Sequence, residues 1–262
     1  MSTPAVNPQR AFPPGTFRPA PRRASLARLV AAQAKVETKL FLRHGEQELL
    51  SVVIPLALLI GLHVVPVLEE PQPVSVVFPL TLAIAAASSG FTGQAIALAF
   101  DRRYGALKRV GASGVPVWVI VAGRSIAVCA MVLIQVAVLT VAALILGWRA
   151  EPAGVALAVP MLLLGVACHT ALGLLMGGAL SSEAVLAGAN LIWLGLAGLA
   201  GLAALQFALE GLSPLDAIPT VTLASGLHQA FDGGLPLAQM GILAAWTLLA
   251  AGAATKAFRF TS

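Results

Sequence analysis

The sequence predicts an all-α membrane protein that crosses the bilayer several times. Of its 262 residues, 58% are hydrophobic and 10% are charged, and the mean hydropathy is +0.91. These values lie far outside the range of soluble globular domains. The apolar residues form long runs, most of which reach the roughly 20 residues that a helix needs to cross a hydrocarbon core about 30 Å thick. The basic residues lie beside and between these runs.

The first segment, residues 1–24, contains six prolines and four arginines but no acidic residue. Such a composition cannot bury enough apolar surface to offset the entropy lost on ordering the chain. We expect a disordered cytoplasmic tail here. The net charge of +5 does not indicate nucleic-acid binding, because the cations are confined to this tail, one loop and the C-terminal end.

Residues 25–44 are predicted to form an amphipathic helix before the first span. At 100° per residue, its valines, its leucines, including Leu40, and Phe41 fall on one arc. The cations Arg28, Lys35 and Lys39 fall on the opposite side. A basic amphipathic helix next to a span is typical of a helix that lies in the cytoplasmic membrane interface. A solvated helix packed on a soluble partner is the alternative.

Six transmembrane spans are predicted after this interface helix. The first is short and needs flanking residues that snorkel, and the start of the third, from Val115 to about Arg124, is expected to lie in the interface. Between the last two spans, Pro214 and Pro219 interrupt a partly apolar stretch. We predict a short external helical segment there, within 218–231, as a semi-buried cap or a re-entrant pair. The spans are placed near 49–65, 74–100, 115–147, 154–180, 184–209 and 235–255.

The distribution of cations predicts the orientation of these spans. Fourteen of the sixteen lysines and arginines precede the first span, follow the last or lie in the loop 101–109. The positive-inside bias therefore places both termini and this loop in the cytoplasm. Arginine outnumbers lysine twelve to four and alanine is abundant, which favours a bacterial plasma membrane.

Polar residues inside the spans are few, as the cost of burying them in lipid requires. One group of small or polar residues is a candidate for a transport pathway or a dimer face, although ordinary helix packing is the favoured explanation for any one small residue. This group comprises Ser88 and Thr92 in the second span and Asn190, Gly195 and Gly198 in the fifth. Two histidines, His63 and His169, have no partners at metal-ligand spacing, so no metal site is predicted.

Enzymatic motifs are scarce. No lysine is followed by Ser or Thr, so the chain has no phosphate-binding loop of the GxxxxGK[ST] type, and it has no HExxH. Residues 111–114, GASG, match the GxSG of rhomboid-type intramembrane serine proteases. His169, the best candidate base, should lie too deep in the membrane to meet Ser113. We therefore predict no catalytic residue, and a protease remains a disfavoured alternative.

The loop after the second span contains Asp101-Arg102-Arg103, followed by Gly105, Leu107, Pro116 and Gly123-Arg124. With this pattern the chain resembles the ABC-2 type permeases, the membrane subunits of ATP-binding-cassette exporters. Arg103 departs from the family pattern, which usually has an acid there. The partner charge of this loop therefore stays open.

The resemblance implies a half-transporter that pairs with an identical or homologous permease and docks on two cytoplasmic ABC ATPase subunits. ATP and Mg would be bound by those subunits, and this chain would hold no cofactor. The loop would be the ATPase-coupling helix and residues 25–44 a connector, so the candidate coupling residues are Asp101, Arg102, Arg103, Gly105, Leu107, Lys108 and Arg109.

The expected cargo is hydrophobic or amphipathic, such as a lipid, a glycolipid or a drug-like molecule, because the span interiors are poor in charge. A secondary transporter is the first alternative, but it would be expected to place ion-coupling charges inside the spans. A purely structural membrane anchor is the second.

Overall fold

The computed structural model describes residues 24–43, 45–66, 72–106, 112, 114–207, 209 and 211–257. Within these residues every regular element is helical and no strand occurs. The all-α prediction is confirmed for this part of the chain. The predicted tail, residues 1–24, lies outside it except for Ala24.

The described helices follow the predicted order. The helices are α1 (Leu26–Arg43), α2 (Gly45–Val64), α3 (Val74–Ala87), α4 (Gln94–Arg103), α5 (Val117–Ile145), α6 (Pro152–Ala179), α7 (Ser182–Phe207), α8 (Pro219–Phe231) and α9 (Leu237–Ala257). A π-helical segment, Ser88–Gly93, joins α3 to α4, and a 3-10 turn, Pro214–Ala217, precedes α8.

Five helices in the described ranges are long and apolar enough to cross a membrane, where the sequence predicts six. The first predicted span corresponds to α2 (Gly45–Val64), whose apolar part is the shorter stretch Ser51–Val64. These 14 residues measure about 21 Å at 1.5 Å per residue, less than the hydrocarbon core. The five are Val74–Arg103, Trp118–Ile145, Pro152–Ala179, Ser182–Gln206 and Leu237–Ala257.

The start of the third predicted span is part of one long helix. Helix α5 runs without a break from Val117 to Ile145, and the place of residues 115–124 in the membrane interface stays a prediction. Pro116 precedes the first helical residue, where a fixed φ and a missing N–H are tolerated. Arg124 lies inside this helix, and two carboxylates balance its charge.

The continuous helix formed by α3, the π segment and α4 lies at the centre of the bundle. Its most apolar window is 89% buried, compared with 17% for α7 and for α9. Helices α6, α7 and α8 all contact it, and α5 lies beside α3. The outer helices therefore expose leucines and isoleucines that suit a lipid environment.

Helix α8 lies inside the bundle along α6. Near one end, an added Cβ at Gly154 would lie 2.6 Å from the Phe231 carbonyl oxygen, and farther along, one at Gly165 would meet Leu223 at 2.4 Å. Thr220, in the first turn of α8, is 2.9 Å from His169. His169 lies about 26 Å along α6 from Pro152. The re-entrant form of the predicted external segment agrees with this placement.

The irregular stretch that leads into α8 satisfies its polar groups internally. The Asp216 carboxylate accepts hydrogen bonds from the Ser213 backbone N–H, at 2.8 Å, and from the Ser225 hydroxyl. Trp246 of α9 donates its indole N–H to the Ala217 carbonyl at 2.9 Å. Non-helical backbone at membrane depth is tolerated only where such partners exist, so this stretch can enter the bundle.

Candidate functional site

The candidate site is the end of the bundle at which α4 and α6 end and α5 and α7 begin, called here the charged end. Asp101, Arg102 and Arg103 occupy the last turn of α4. Successive residues of a helix point about 100° apart. The three side chains consequently contact three different parts of the bundle.

Asp101 contacts Arg124 of α5, which is the centre of a three-residue ion network. The Arg124 guanidinium forms a salt bridge with the Asp101 carboxylate and a second one, 3.2 Å from Nε to Oε1, with Glu37 of α1. The Arg124 side chain is 4% exposed and that of Glu37 is 11% exposed. Removing one partner of a buried ion pair leaves an uncompensated charge, so this network strongly favours one mutual position of α1, α4 and α5.

Gly123 allows α1 to approach α5 closely enough for this network. A Cβ added at Gly123 would lie 2.6 Å from Gln33 Cβ and 3.1 Å from the Ala34 backbone nitrogen. Gln33 in turn donates a 2.8 Å hydrogen bond to the Glu37 carboxylate. The Gly123-Arg124 pair thus combines close contact with charge pairing at adjacent positions.

Arg102 points into the bundle and closes the end of α6. Its guanidinium donates hydrogen bonds to the Gly177 carbonyl at 2.8 Å and to the Leu180 carbonyl at 2.9 Å. The last carbonyls of a helix have no intrahelical partner and carry partial negative charge. Arg102, which is 4% exposed, therefore caps α6 from α4.

Arg103 lies on the surface and binds the start of α7. Its Nη1 is 2.6 Å from the Glu183 carboxylate and 3.3 Å from the Ser182 hydroxyl, and the two charged side chains are 48% and 69% exposed. Glu183 is the partner charge that the sequence left open. Because the pair is exposed, it contributes little to stability and is accessible to a docking protein.

The rest of the predicted coupling loop is only partly described. Gly105 has a φ of +68°, a conformation that suits glycine at a helix end. Leu107, Lys108 and Arg109 lie outside the described residues, as do Gly111 and Ser113 of the GASG sequence.

The interface helix α1 has three faces instead of the two predicted. Ala34 and Glu37 are buried towards α5, whereas Leu26, Val36 and Leu40 are about half exposed. Arg28, Lys35 and Lys39 are exposed on a further side. The structure describes the Phe41 backbone but not its side chain. The leucine arc thus remains available to lipid while a separate stripe packs on the bundle.

The predicted pathway residues divide into two groups. Thr92 is buried within this chain and Ser88 is half-buried, whereas Asn190, Gly195 and Gly198 are exposed on α7. Nothing lies within 4 Å of a Cβ added at Gly195 or Gly198. Only the α7 group is therefore placed where a second chain could meet it.

The π-helical segment and the helices next to it carry buried polar atoms without hydrogen-bond partners in the described chain. These are the hydroxyls of Ser89 and Thr92 in the segment, both amide atoms of Gln94 at the start of α4, and the hydroxyl of Thr170 on α6. On α6, Gly173 brings its backbone against the Gly90 and Phe91 carbonyl oxygens. π-helical insertions are frequent at functional sites, and unsatisfied buried groups need an explanation. This central segment is a second candidate for function.

Two residues of the charged end were not recognised in the sequence as part of a site. Glu37 was missed, although it is the single acid in an otherwise basic helix. Glu183 lies at the boundary between the fourth and fifth predicted spans. An acid beside spans that are so poor in charge is the signal that could have identified both. The intramembrane amide Gln135 bridges α5 and α2, since it donates to the Ser51 carbonyl at 3.0 Å.

The histidines serve as structural links in the described chain. His169 Nδ1 donates to the Gly165 carbonyl at 2.8 Å, because a carbonyl oxygen can only accept, and Nε2 accepts from the Thr220 hydroxyl. His63 Nδ1 pairs with the Gln72 carbonyl at 3.0 Å. Since both ring nitrogens of His169 are engaged, it is not poised to act as a catalytic base.

Comparison with known protein families places most of the chain in one of them. The family model described as ABC-2 type transporter matches residues 28–201, which include most of α1, the charged end and most of α7. No curated protein and no solved structure matches the chain.

Proposed function

Since the chain belongs to the ABC-2 type transporter family, we propose that it is the permease subunit of an ATP-driven exporter. Its family and its apolar helices make it a multi-pass membrane protein of an ABC-type transporter, and the family implies an ABC ATPase subunit as partner. We propose two ATPase copies, a second permease, and a plasma-membrane location with both termini in the cytoplasm.

The observation that carries the proposal is the attachment of Asp101, Arg102 and Arg103 to three parts of the bundle. A force on the end of α4 would reach α5 and α1 through Arg124, α6 through its C-terminal carbonyls, and α7 through Glu183. Rigid helices joined at one end can rock as bodies, which is how packed bundles alternate between two arrangements. The charged end therefore suits the coupling of ATPase closure to helix movement.

The proposed surface for the second permease is the exposed face of α7. Gly195, Gly198 and Gly201 have open space around them, and the helix is largely unburied within one chain. Small residues let helices of two chains approach closely in a membrane. The apolar character of the described spans favours a hydrophobic or amphipathic cargo moved from the cytoplasm or the inner leaflet.

The experiment that tests the proposal is purification of the tagged full chain from its native membranes in mild detergent, with its partners identified by mass spectrometry. We expect a soluble P-loop ATPase at near-equal copy number. Reconstituted complexes should then move an amphiphilic probe only when ATP and Mg are present. Recovery of the chain without an ATPase, or ion-driven transport without ATP, would favour a secondary transporter instead.

A further inference from the structure

A cavity of about 610 Å³ opens at the end of the bundle opposite the charged end. The end of α8 and the start of α9 form one side of it, and Leu209, Gly211 and Leu212 form another. Its walls combine leucines with four polar side chains. These polar residues are His228, Gln229, Asp232 and Gln239.

The polar side of this cavity presents acceptors that face each other. His228 Nδ1 lies 3.1 Å from the Ser75 carbonyl oxygen, which can only accept, so Nδ1 carries the proton. In the neutral ring Nε2 is then an acceptor. It lies 3.6 Å from the Asp232 carboxylate, which is also an acceptor. This distance is too long for a hydrogen bond, and the Asp232 side chain is 63% exposed, so a donor that enters from the open side can meet both acceptors.

The other polar groups add acceptors to the same wall. Gln229 donates its amide N–H to the Leu235 carbonyl at 3.1 Å, which leaves its amide oxygen as the group that can still bind a donor. Gln239 is 3% exposed and lines the cavity. Asp232 is the one charged side chain among the described lining residues, and it is negative. The cavity therefore favours a cation that donates hydrogen bonds.

We propose that this cavity binds the ammonium group of an amphiphilic primary amine, held between Asp232 and His228 Nε2. The N–H donors of the ammonium satisfy both acceptors and its charge pairs with the carboxylate. Leu209, Leu212 and Leu237 cover the first carbons of the alkyl chain. The site deepens the proposed export function, on which it rests, by assigning it a cargo class and a place of binding at the far end of the bundle.

The test measures equilibrium binding of radiolabelled dodecylamine to the full chain, with its co-purifying partners, in phosphatidylcholine nanodiscs without nucleotide. Empty nanodiscs provide the background from partition into lipid. Unlabelled dodecylamine, dodecanol, dodecyl sulfate and dodecyltrimethylammonium serve as competitors. We expect dodecylamine to compete at least tenfold better than each of the other three, since only it combines positive charge with N–H donors.

Variants locate the site. Asp232→Asn should weaken dodecylamine binding at least tenfold, and His228→Asn, which keeps a donor near the Ser75 carbonyl, should weaken it severalfold. Glu151→Gln is the matched control, because Glu151 is an exposed acid just before α6 that does not line the cavity. The melting temperature of each variant in the same nanodiscs identifies any loss of folding.

Three outcomes would overturn the site: equal competition by dodecanol, equal competition by dodecyltrimethylammonium, or the same affinity in Asp232→Asn and Glu151→Gln. Failure of the export function gives a different pattern. The chain would then bind dodecylamine through Asp232 but co-purify without an ATPase. Conversely, a complex that contains an ATPase but binds dodecylamine equally well after Asp232→Asn would contradict the proposed site and not the export function.

Discussion

Arg124 of α5 and Glu37 of α1 form a salt bridge, 3.2 Å from Nε to Oε1, in which both side chains are almost wholly buried. The pair joins the interface helix to the membrane bundle 87 residues further along the chain. Through Arg124 it also reaches Asp101, at the end of the central helix. The interface helix and the coupling loop, which the sequence treats separately, are thus attached to one guanidinium.

Replacing Arg124 by Gln should destabilise the protein strongly. The change leaves the buried Glu37 carboxylate and the partly exposed Asp101 carboxylate without their cation. Breaking a buried pair costs about 3–5 kcal/mol. We expect a clear fall in melting temperature in nanodiscs. Arg103→Gln is the control, because its pair with Glu183 is exposed and contributes little to stability. Equal melting temperatures for the two variants would contradict the network.

Reversing the Arg103–Glu183 pair should affect coupling more than stability. Arg103→Glu places two acids together at the charged end, so we expect ATP-driven transport to fall severalfold while the melting temperature stays within a few degrees. The double variant Arg103→Glu, Glu183→Arg restores opposite charges and should recover transport. A double variant no better than the single one would show that the pair itself does not matter.

Gly173 should not tolerate alanine. An added Cβ would lie 2.5 Å from the Phe91 carbonyl oxygen and 2.7 Å from that of Gly90, and both belong to backbone that cannot move aside easily. We expect destabilisation of about 1–3 kcal/mol, as for other overpacked sites. Gly252→Ala in α9, where nothing lies within 4 Å, should be neutral or slightly stabilising. Thermal unfolding of both variants makes the comparison.

Gln94→Met should leave stability unchanged or raise it, yet lower transport. Neither amide atom of Gln94 has a partner within the described chain, so an apolar side chain of similar size removes a desolvation cost. Gln135→Met, which removes the amide that donates to Ser51, should instead lower the melting temperature. If Gln94→Met lowers the melting temperature as Gln135→Met does, Gln94 has a structural role. That result would contradict a functional role for the π-helical segment.

Thr220→Val should loosen the attachment of α8 to α6. The valine cannot donate to His169 Nε2, which would leave a fully buried acceptor unpaired at a cost of about 1–3 kcal/mol. Thr220→Ser retains the hydroxyl and should restore most of the loss. Thr255→Val, at an exposed threonine of α9, controls for the change of side chain. Equal melting temperatures for Thr220→Val and Thr220→Ser would contradict this link.

The sequence predicted the helices well because local composition decides them. Long apolar runs must satisfy their backbone hydrogen bonds internally in lipid, and the helix is the local way to do so. The predicted span 154–180 became Pro152–Ala179, and 184–209 became Ser182–Phe207. Local composition gave no sign that Arg124, near the start of the third span, pairs with two carboxylates from other helices.

What the sequence by itself determined is the set of apolar helices, the basic loop after the second of them and the family resemblance, all of which depend on neighbouring residues. Only the tertiary structure decided that Glu37 and Asp101 share Arg124, that Arg102 caps α6 and that α8 enters the bundle as far as His169. These contacts join residues dozens of positions apart, and a charge in the sequence carries no mark of its distant partner. Burial then strongly favours the arrangement in which each charge has a partner, because an unpaired charge away from water is costly.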